Sequence, residues 1–449
     1  MAPATVELDT LDSSRHSQDA NNTESHHQNT HDESTLPPVD SGKAAWLFLA
    51  ACWAVEAFVF GFGFSFGVFQ DFYTTHEPFA GSGDIAVIGT TTLGTLYMGT
   101  PFVLMLCRLL PRWARWFTLL GLFTSTLSMA MSSFCTTVPQ LIGTQGLMFG
   151  IGGCFAYCPC VVYIDEWFAK RKGMAYGVMW SAAGTGGVVL PLVLQVLLNN
   201  LGFETATRIW AGIFFAATLP LSFFIKPRLP NSATTHISPF NVRHLMSKLF
   251  ALHQLFNFVQ ATGYFLPGIY LPTYARRIFG ASDFLSTLTI MLVNISATIG
   301  CVIMGWMTDK LRVTTCIAIS ALGTTMSVFV IWGLATSLPV LYVFCVFYGL
   351  FAGSWTSVYP GIMKDVAKKG ENAGHSSADP VVVMGYLLLA RGIGNIVSGP
   401  LSEALVEGEP WRGQASAGYG SGYGALLVYS GVTALFSGTN FVLDHFGWL

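Results

Sequence analysis

The chain has 449 residues, of which 52% are hydrophobic and only 10% are charged. Soluble domains carry about 25% charged residues, so this composition is typical of a protein that spans a membrane. The net charge of -2 provides no basic surface for a nucleic-acid partner, and the 9 cysteines lie in or beside apolar stretches, unlike a disulfide framework.

Residues 1–43 differ in composition from the rest of the chain. They are rich in Ser, Thr, His, Asn and Asp and contain almost no large apolar side chains. Because such a segment cannot bury a core, we predict a disordered cytosolic tail. It also lacks the basic and then apolar beginning of a signal peptide.

Twelve apolar stretches follow the tail. Each is near or above the ~20 residues that a helix needs to cross a bilayer, and a helix satisfies its own backbone hydrogen bonds in lipid. The predicted spans are 44–69, 86–107, 115–136, 140–164, 173–199, 205–225, 249–275, 283–306, 313–334, 338–362, 381–402 and 421–443. We therefore predict an all-α membrane protein with twelve transmembrane helices.

The distribution of basic residues supports this count and gives an orientation. With the N-terminus inside, 17 Lys and Arg fall in cytosolic segments, 4 in outside loops and 1, Arg391, in a span, which together make the 22 of the chain. This asymmetry follows the positive-inside rule, so both termini are predicted to be cytosolic. A basic linker, 226–248, separates an N-terminal half, 44–225, from a C-terminal half, 249–443, and a short tail, 444–449, ends the chain.

A weak internal repeat relates the two halves. Span five carries Gly184 and Gly186 before Pro191, and span eleven carries Gly392 and Gly394 before Pro400. Six-helix repeats around a site at the middle of the membrane are typical of one large class of secondary transporters.

Two ionisable residues lie near the predicted middle of the membrane. Arg391 is ten residues into span eleven, which is about 15 Å along a helix, and Glu56 is twelve residues into span one. Ionisable groups at this depth face a partner, a cavity or a substrate. Arg391 is a candidate for binding an anionic group. Alternatively, it pairs with a helix carbonyl or an acidic neighbour and serves only to pack the helices. Glu56 is a candidate proton carrier, or alternatively the salt-bridge partner of Arg391.

Two helices carry stripes of polar or aromatic residues. In span seven, His253, Asn257, Gln260 and Tyr264 are spaced by 4, 3 and 4, so they share one face. Such a stripe indicates either a cavity or interhelical hydrogen bonds. In span ten, Tyr348, Trp355 and Tyr359 are spaced by 7 and 4, and they either stack on a flat substrate or pack between helices.

Three stretches carry a family resemblance. They are Asp40-Ser41-Gly42 leading to 63–69, Trp167-Phe168-Ala169-Lys170-Arg171-Lys172-Gly173-Met174-Ala175-Tyr176-Gly177, and Gly305-Trp306-Met307-Thr308-Asp309-Lys310. They resemble motifs of the major facilitator superfamily, specifically its fungal monocarboxylate-porter branch, over residues 40–443. The resemblance implies a transporter whose halves rock around a central cavity. It also implies that span seven lines this cavity, which favours substrate binding by the polar stripe.

The resemblance further implies a gating region on the cytosolic side. The predicted gating or structural residues are Asp165, Glu166, Lys170, Arg171, Gly305 and Asp309, and the charged ones are expected to form salt bridges between the halves. The alternative is a solvated loop that only fixes the topology.

One departure from the family pattern concerns the substrate. Proton-coupled monocarboxylate carriers of this family have an Asp/Arg pair in span eight, at positions that hold Ala297 and Cys301 here, and a lysine that falls near Gln70. The missing groups argue against proton symport of the lactate or pyruvate type.

These observations predict a secondary transporter of a small organic solute, either anionic or aromatic, with proton coupling as an option. No catalytic residue, cofactor or metal site is predicted. Efflux of a fungal secondary metabolite is favoured by the aromatic helices and the missing Asp/Arg pair. Proton-coupled uptake of a monocarboxylate or vitamin-like nutrient is the alternative, favoured by Arg391 and the branch. A non-transporting nutrient sensor is the alternative of another class. The plasma membrane is the predicted location, with the vacuole or another endomembrane as the alternative.

Overall fold

The computed structural model describes residues 37–447, apart from 81, 83–84, 230–246 and 373–379. The predicted disordered tail, 1–43, falls almost entirely outside the described residues, and so does most of the predicted linker, 226–248. The described residues form helices and no strand, which agrees with the predicted all-α class.

The helices of the N-terminal half coincide with predicted spans one to six. They are α1 (Lys43–Phe64), α2 (Phe66–Thr75), α3 (Ile85–Leu109), α4 (Pro111–Ser132), α5 (Val138–Trp167) and α6 (Lys172–Ser222). Spans five and six both lie in α6, which changes direction at Gly202, where φ is 72°. Residues with a side chain rarely adopt this left-handed conformation, so glycine allows the break.

The helices of the C-terminal half coincide with predicted spans seven to twelve. They are α7 (Lys248–Phe279), α8 (Asp283–Lys310), α9 (Val313–Trp332), α10 (Leu338–Ala352), α11 (Tyr359–Asn372), α12 (Pro380–Val406), α13 (Gly424–Ser437) and α14 (Thr439–His445). A short 3₁₀ segment, Trp355–Val358, joins α10 to α11 inside predicted span ten.

Within the described residues, 8 helical segments are long and apolar enough to cross a membrane. Part of the difference from the twelve predicted spans has a physical reason: spans five and six count as one segment, α4 carries two arginines near its start, and α7 carries the polar stripe. In α12 the described residues contain a shorter apolar stretch, Val382–Ser398. The number of membrane crossings therefore remains a prediction.

The buried apolar side chains show how the two halves meet. One cluster joins the halves and includes Ile164 and Trp167 from one half and Met304 and Met363 from the other. A second cluster, which includes Trp332 and Tyr423, belongs to the C-terminal half alone. The residues that the C-terminal half contributes to the shared cluster lie toward the end of the molecule where α5 and α8 end and α6 and α9 begin. We call this the closed end.

Candidate functional site

Helices α6 and α8 hold the halves together along a seam that contains four glycines of α6, Gly173, Gly177, Gly184 and Gly187. A Cβ added to Gly177 would meet the backbone oxygen of Cys301, and one added to Gly184 would lie 2.6 Å from Oγ1 of Thr298. The hydroxyl of Thr298 also lies 3.3 Å from the carbonyl of Ser181, to which it donates. Glycine thus permits the close backbone approach that the α6–α8 seam requires.

Helices α3 and α12 form a second contact between the halves. A Cβ added to Gly385 would lie 2.9 Å from Cα of Pro101, and one added to Gly392 would lie 2.8 Å from Cβ of Tyr97. Because Gly392 follows Arg391 directly, this α3–α12 contact brings Arg391 to the boundary between the halves.

A cavity lies between the halves, bounded by α6 and α8 on one side and by α3 and α12 on another. Its volume, counted as the space open to the centre of a water molecule, is about 60 Å³. Its lining residues from the N-terminal half are Glu56, Phe60, Phe64, Tyr97, Tyr157, Trp180, Ala183 and Gly184, and those from the C-terminal half are Tyr264, Asn294, Ala297, Cys301, Gly353, Thr356, Leu388 and Arg391. Aromatic rings and both predicted mid-membrane ionisable groups therefore share one cavity.

Arg391 is only 2% exposed and is held by groups of α7. Its Nη1 donates to Oε1 of Gln260 at 3.2 Å, and its guanidinium lies 4.6 Å from the ring centroid of Tyr264 and 5.4 Å from that of Phe265. Its Nε has no hydrogen-bond partner, and no carboxylate of the described residues forms a salt bridge with Arg391. The guanidinium is thus oriented without being neutralised.

Glu56 is also 2% exposed and lines the cavity from α1. Its Oε2 has no hydrogen-bond partner among the described residues. The sequence left open a salt bridge between Glu56 and Arg391, and in this conformation the two residues line the same cavity without forming one.

The polar stripe of α7 divides between two roles. Tyr264 lines the cavity, and Gln260 binds Arg391. Asn257 instead donates to the carbonyl of Leu387 at 2.8 Å, while its Oδ1 accepts from Trp355 at 3.1 Å and from Tyr359 at 2.8 Å. This differs from the favoured cavity role, because one turn of α7 faces α12 and the 3₁₀ segment.

The aromatic stripe of span ten packs between helices. Tyr348 stacks on Tyr264 with ring centroids 6.3 Å apart, and its hydroxyl donates to the carbonyl of Tyr264 at 2.7 Å. Trp355 and Tyr359 bind Asn257, as described above. His253 is buried one turn before Asn257. In this conformation Tyr348 and Tyr359 pack against two rings that line the cavity, those of Tyr264 and Trp180. Direct contact of Tyr348, Trp355, Tyr359 and His253 with a substrate remains a prediction.

Several cavity residues were missed by the sequence interpretation. Tyr97, Trp180 and Asn294 line the cavity, and so does Tyr157, which accepts a hydrogen bond from Trp180 at 3.0 Å. No spacing pattern in the sequence marks these residues. Ala297 and Cys301 stand at the positions where the family resemblance implies an Asp/Arg pair, and both line the cavity.

Asp309, at the end of α8, is hydrogen-bonded to the opposite half at the closed end. Its carboxylate accepts backbone hydrogen bonds from Gly173 at 2.9 Å and Met174 at 2.8 Å, which begin α6. Lys364 forms a salt bridge with the same carboxylate at 3.2 Å from within the C-terminal half. Gly305 packs against Gly173 and Gly177 one turn earlier. Asp309 therefore caps a helix of the opposite half.

The other predicted gating residues make their contacts within the N-terminal half or with the segments that flank it. Asp165 forms a salt bridge with Lys172 at 3.0 Å, and Glu166 accepts backbone hydrogen bonds from Arg228 and Leu229. The backbone amides of Lys170 and Arg171 both donate to the carboxylate of Asp40 at 2.9 Å.

In this conformation none of the predicted gating residues that the structure describes forms a salt bridge between the halves, so salt bridges that depend on the transport state remain a prediction. Among the predicted gating residues that the structure describes, Asp309 is the one whose carboxylate reaches the other half. It accepts hydrogen bonds there from backbone N–H groups and not from a basic side chain.

The comparison with known families decides the classification. A family model described as Major Facilitator Superfamily matches residues 44–399. The chain belongs to the major facilitator superfamily. The two-half architecture, the cavity between the halves and the helix cap at the closed end all fit a transporter of this superfamily, whereas membership in the monocarboxylate-porter branch remains a prediction.

Similar proteins are fungal transporters. The MFS-type transporter pynF of Aspergillus niger is 25% identical over 387 residues, covering 84% of this chain and 86% of the relative. The Aspyridones efflux protein apdF of Emericella nidulans is 27% identical over 410 residues, covering 90% and 78%. The Fujikurins efflux protein of Gibberella fujikuroi is 26% identical over 413 residues, covering 90% and 82%.

Within the described residues, no group of three or more His, Cys, Asp and Glu side chains is arranged to hold a metal ion.

Proposed function

We propose that this protein exports a small aromatic organic acid, a fungal secondary metabolite, by alternating access. In this proposal the chain has twelve transmembrane helices in two halves, 44–225 and 249–443, with both termini in the cytosol. The single observation that carries the proposal is the cavity between the halves, which combines aromatic walls with one unneutralised guanidinium.

The walls of the cavity suit a planar, partly apolar solute. Tyr97, Tyr157, Trp180 and Tyr264 present rings from both halves. Aromatic side chains favour stacked or edge-on contact with flat molecules, each contributing about 0.5–1.5 kcal/mol beyond area burial. A purely aliphatic acid would leave these contacts unused.

Arg391 suits an acidic group of that solute. Gln260 and the ring of Tyr264 fix the orientation of the guanidinium without adding negative charge. Hydrogen bonds between a guanidinium and a carboxylate are roughly twice as strong as bonds between neutral groups. A carboxylate or acidic enol on Arg391 would therefore anchor one end of the solute.

The names of similar proteins support export, since two are named as efflux proteins, for aspyridones and for fujikurins. The halves share a core at the closed end, which the positive-inside rule assigns to the cytosol. We therefore interpret the conformation as one closed toward the cytosol, a state that alternating access requires for either direction of transport. Glu56 is the proposed proton carrier that couples export to the proton gradient, and the plasma membrane is the proposed location.

Inside-out membrane vesicles from a host that expresses the protein test this proposal, because export appears there as accumulation. The probes are 4-hydroxyphenylacetate and its neutral amide, 4-hydroxyphenylacetamide. We expect accumulation of the acid above vesicles that lack the protein, and at least tenfold less of it with Arg391→Gln, since the anchor for the charge is lost.

Arg208→Gln is the matched control, because Arg208 pairs with Glu204 on the exposed surface. Acid accumulation equal to that of empty vesicles would contradict export. Normal acid accumulation by Arg391→Gln would contradict the anchor role. The alternative function, proton-coupled uptake of a carboxylate, is favoured by Arg391 itself, and it predicts accumulation only in right-side-out vesicles that are acidic outside.

A further inference from the structure

Helix α6 contains a backbone carbonyl that its own helix cannot satisfy. Pro191 lies inside α6 and has no backbone N–H. In an α-helix the N–H of residue 191 would bind the carbonyl of Gly187, four residues earlier. The carbonyl of Gly187 is therefore left without its usual donor in a region that borders the cavity.

Asn294 of the opposite half supplies the missing donor. Its Nδ2 donates to the carbonyl oxygen of Gly187 at 3.1 Å. A carbonyl oxygen only accepts hydrogen bonds, so the amide must direct its nitrogen, and not its oxygen, at the carbonyl of Gly187. The absence of an N–H at Pro191 thus fixes which way the Asn294 side chain is oriented.

The oxygen of the same amide is free for the cavity. Asn294 is one of the cavity-lining residues and is partly exposed there. Among the residues that the structure describes, the side chain of Asn294 is hydrogen-bonded through Nδ2, and no protein group donates to its Oδ1. This oxygen is not a buried atom without a partner, so it is accessible. The cavity therefore presents a hydrogen-bond acceptor of fixed orientation on its α8 wall.

We propose that Asn294 is a specificity-determining residue that accepts a hydrogen bond from an O–H or N–H donor of the substrate. This inference rests on the proposed function and narrows its substrate class. The substrate is an aromatic acid that carries its acidic group toward Arg391 and a separate hydroxyl, amide or lactam donor toward Asn294.

Fixing the amide makes this acceptor selective. A rotating amide could present its NH₂ group to an ether or carbonyl and would bind donors and acceptors alike. An amide held by Gly187 presents only oxygen, so a methylated substrate would leave Oδ1 without a partner. Sites that hydrogen-bond a substrate hydroxyl reject analogues lacking it because a buried polar group is left unpaired.

Binding of two probes to the purified full-length protein tests the inference. The probes are 4-hydroxyphenylacetate and its methyl ether, 4-methoxyphenylacetate, which differ only in the donor. We expect the wild type to bind the hydroxyl compound about tenfold more tightly, the value of roughly one buried hydrogen bond. Asn294→Ala should bind both probes with equal affinity, at the level of the methyl ether in the wild type.

Pro191→Ala provides a second and independent variant. The restored N–H can bind the carbonyl of Gly187, which releases the Asn294 amide to rotate while Asn294 itself is retained. We expect the preference for the hydroxyl probe to fall from about tenfold to about threefold or less. Pro220→Ala is the matched control, because Pro220 lies in the same helix away from the cavity and should keep the full preference.

Each outcome decides the inference. Equal affinities in the wild type, or a full preference in Asn294→Ala, would overturn it. Binding of neither probe would overturn the substrate class. If Asn294→Ala does not fold, an unchanged preference in Pro191→Ala is enough to overturn the inference. If Asn294 had only a structural role, its replacement would lower thermal stability and leave the preference for the hydroxyl probe unchanged. A preference that follows the expected pattern in a protein that fails to export would reject only the proposed function.

Discussion

Arg391 and Glu56 line one cavity from different halves of the molecule without forming an ion pair. A buried charge that lacks a counter-charge is destabilising by several kcal/mol, roughly 3–5 kcal/mol when a pair is broken. The ring of Tyr264 and the amide of Gln260 offset part of this cost for Arg391. The remaining cost would be relieved by an anionic substrate, which is the physical reason to place one there.

Glu56 gives a prediction at the scale of one residue. Glu56→Gln keeps the size of the side chain but removes its ability to bind and release a proton. We expect export by this variant to lose its dependence on the pH difference across the vesicle membrane, while probe binding is retained. Accumulation of labelled 4-hydroxyphenylacetate in inside-out vesicles, with and without an imposed pH difference, measures this.

Glu204→Gln is the control, because Glu204 is a surface carboxylate paired with Arg208. A Glu56→Gln variant with the wild-type response to pH would exclude Glu56 as the proton carrier.

The same residues show what sequence could identify in the site. Arg391 and Glu56 stand out because an ionisable group in an apolar run is costly wherever the helix packs. The spacing of the stripe on α7 indicates which side chains share one face of the helix. Spacing does not determine what that face meets, and Asn257 meets α12 whereas Tyr264 meets the cavity. Asn294 carries no sequence pattern, because its role depends on Pro191 in the other half.

At the scale of elements, α6 and α8 are linked by a cap that joins two halves. The long apolar stretches of the sequence predicted helices at these positions, because membrane helices must be long and apolar. The cap was foreseen as a salt bridge, whereas Asp309 binds the backbone amides of Gly173 and Met174. Charge patterns in sequence reveal acidic and basic side chains but not backbone donors, which every helix N-terminus provides.

Asp309→Ala tests the role of this cap. Loss of a helix N-cap costs about 0.5–2 kcal/mol, and 1–2 kcal/mol corresponds to a factor of about 5–30 in a two-state equilibrium. We therefore expect the equilibrium to shift by about that factor toward conformations in which the two halves are separated where α8 ends and α6 begins. Distances between spin labels at the exposed positions Lys170 and Lys368, measured by pulsed electron paramagnetic resonance, report the shift.

Lys364→Gln is the matched control for Asp309→Ala. It removes the salt bridge to Asp309 and leaves both backbone bonds in place. Because exposed salt bridges contribute only about 0–1 kcal/mol, its effect should be smaller. Equal shifts in both variants would show that the salt bridge, and not the cap, stabilises the closed end.

At the scale of the whole molecule, the arrangement of the cores distinguishes one end from the other. The C-terminal half shares a core with the N-terminal half at the closed end and packs by itself at the opposite end. Rigid halves that rock around a central site alternate such contacts between the two ends. Full closure at this end depends on how near the backbones of α6 and α8 can approach.

Gly177 allows that approach, and replacing it tests whether closure at this end is needed for export. A Cβ at Gly177 would meet the backbone oxygen of Cys301 and would lie 3.1 Å from Cα of Gly305. Backbone atoms cannot move aside as a flexible side chain can, so Gly177→Leu must separate the halves. We expect at least a tenfold loss of export together with a longer distance between labels at Lys170 and Lys368, and an intermediate effect for Gly177→Ala.

Gly212→Leu is the control in the same helix, because a Cβ at Gly212 meets nothing within 4 Å and should leave export unchanged. A folded Gly177→Leu variant with normal export and an unchanged label distance would mean that the halves need not close along α6 and α8. The rocking of two rigid halves around the cavity would then have to be abandoned, since that motion requires the tight contact at Gly177 to form once in every cycle.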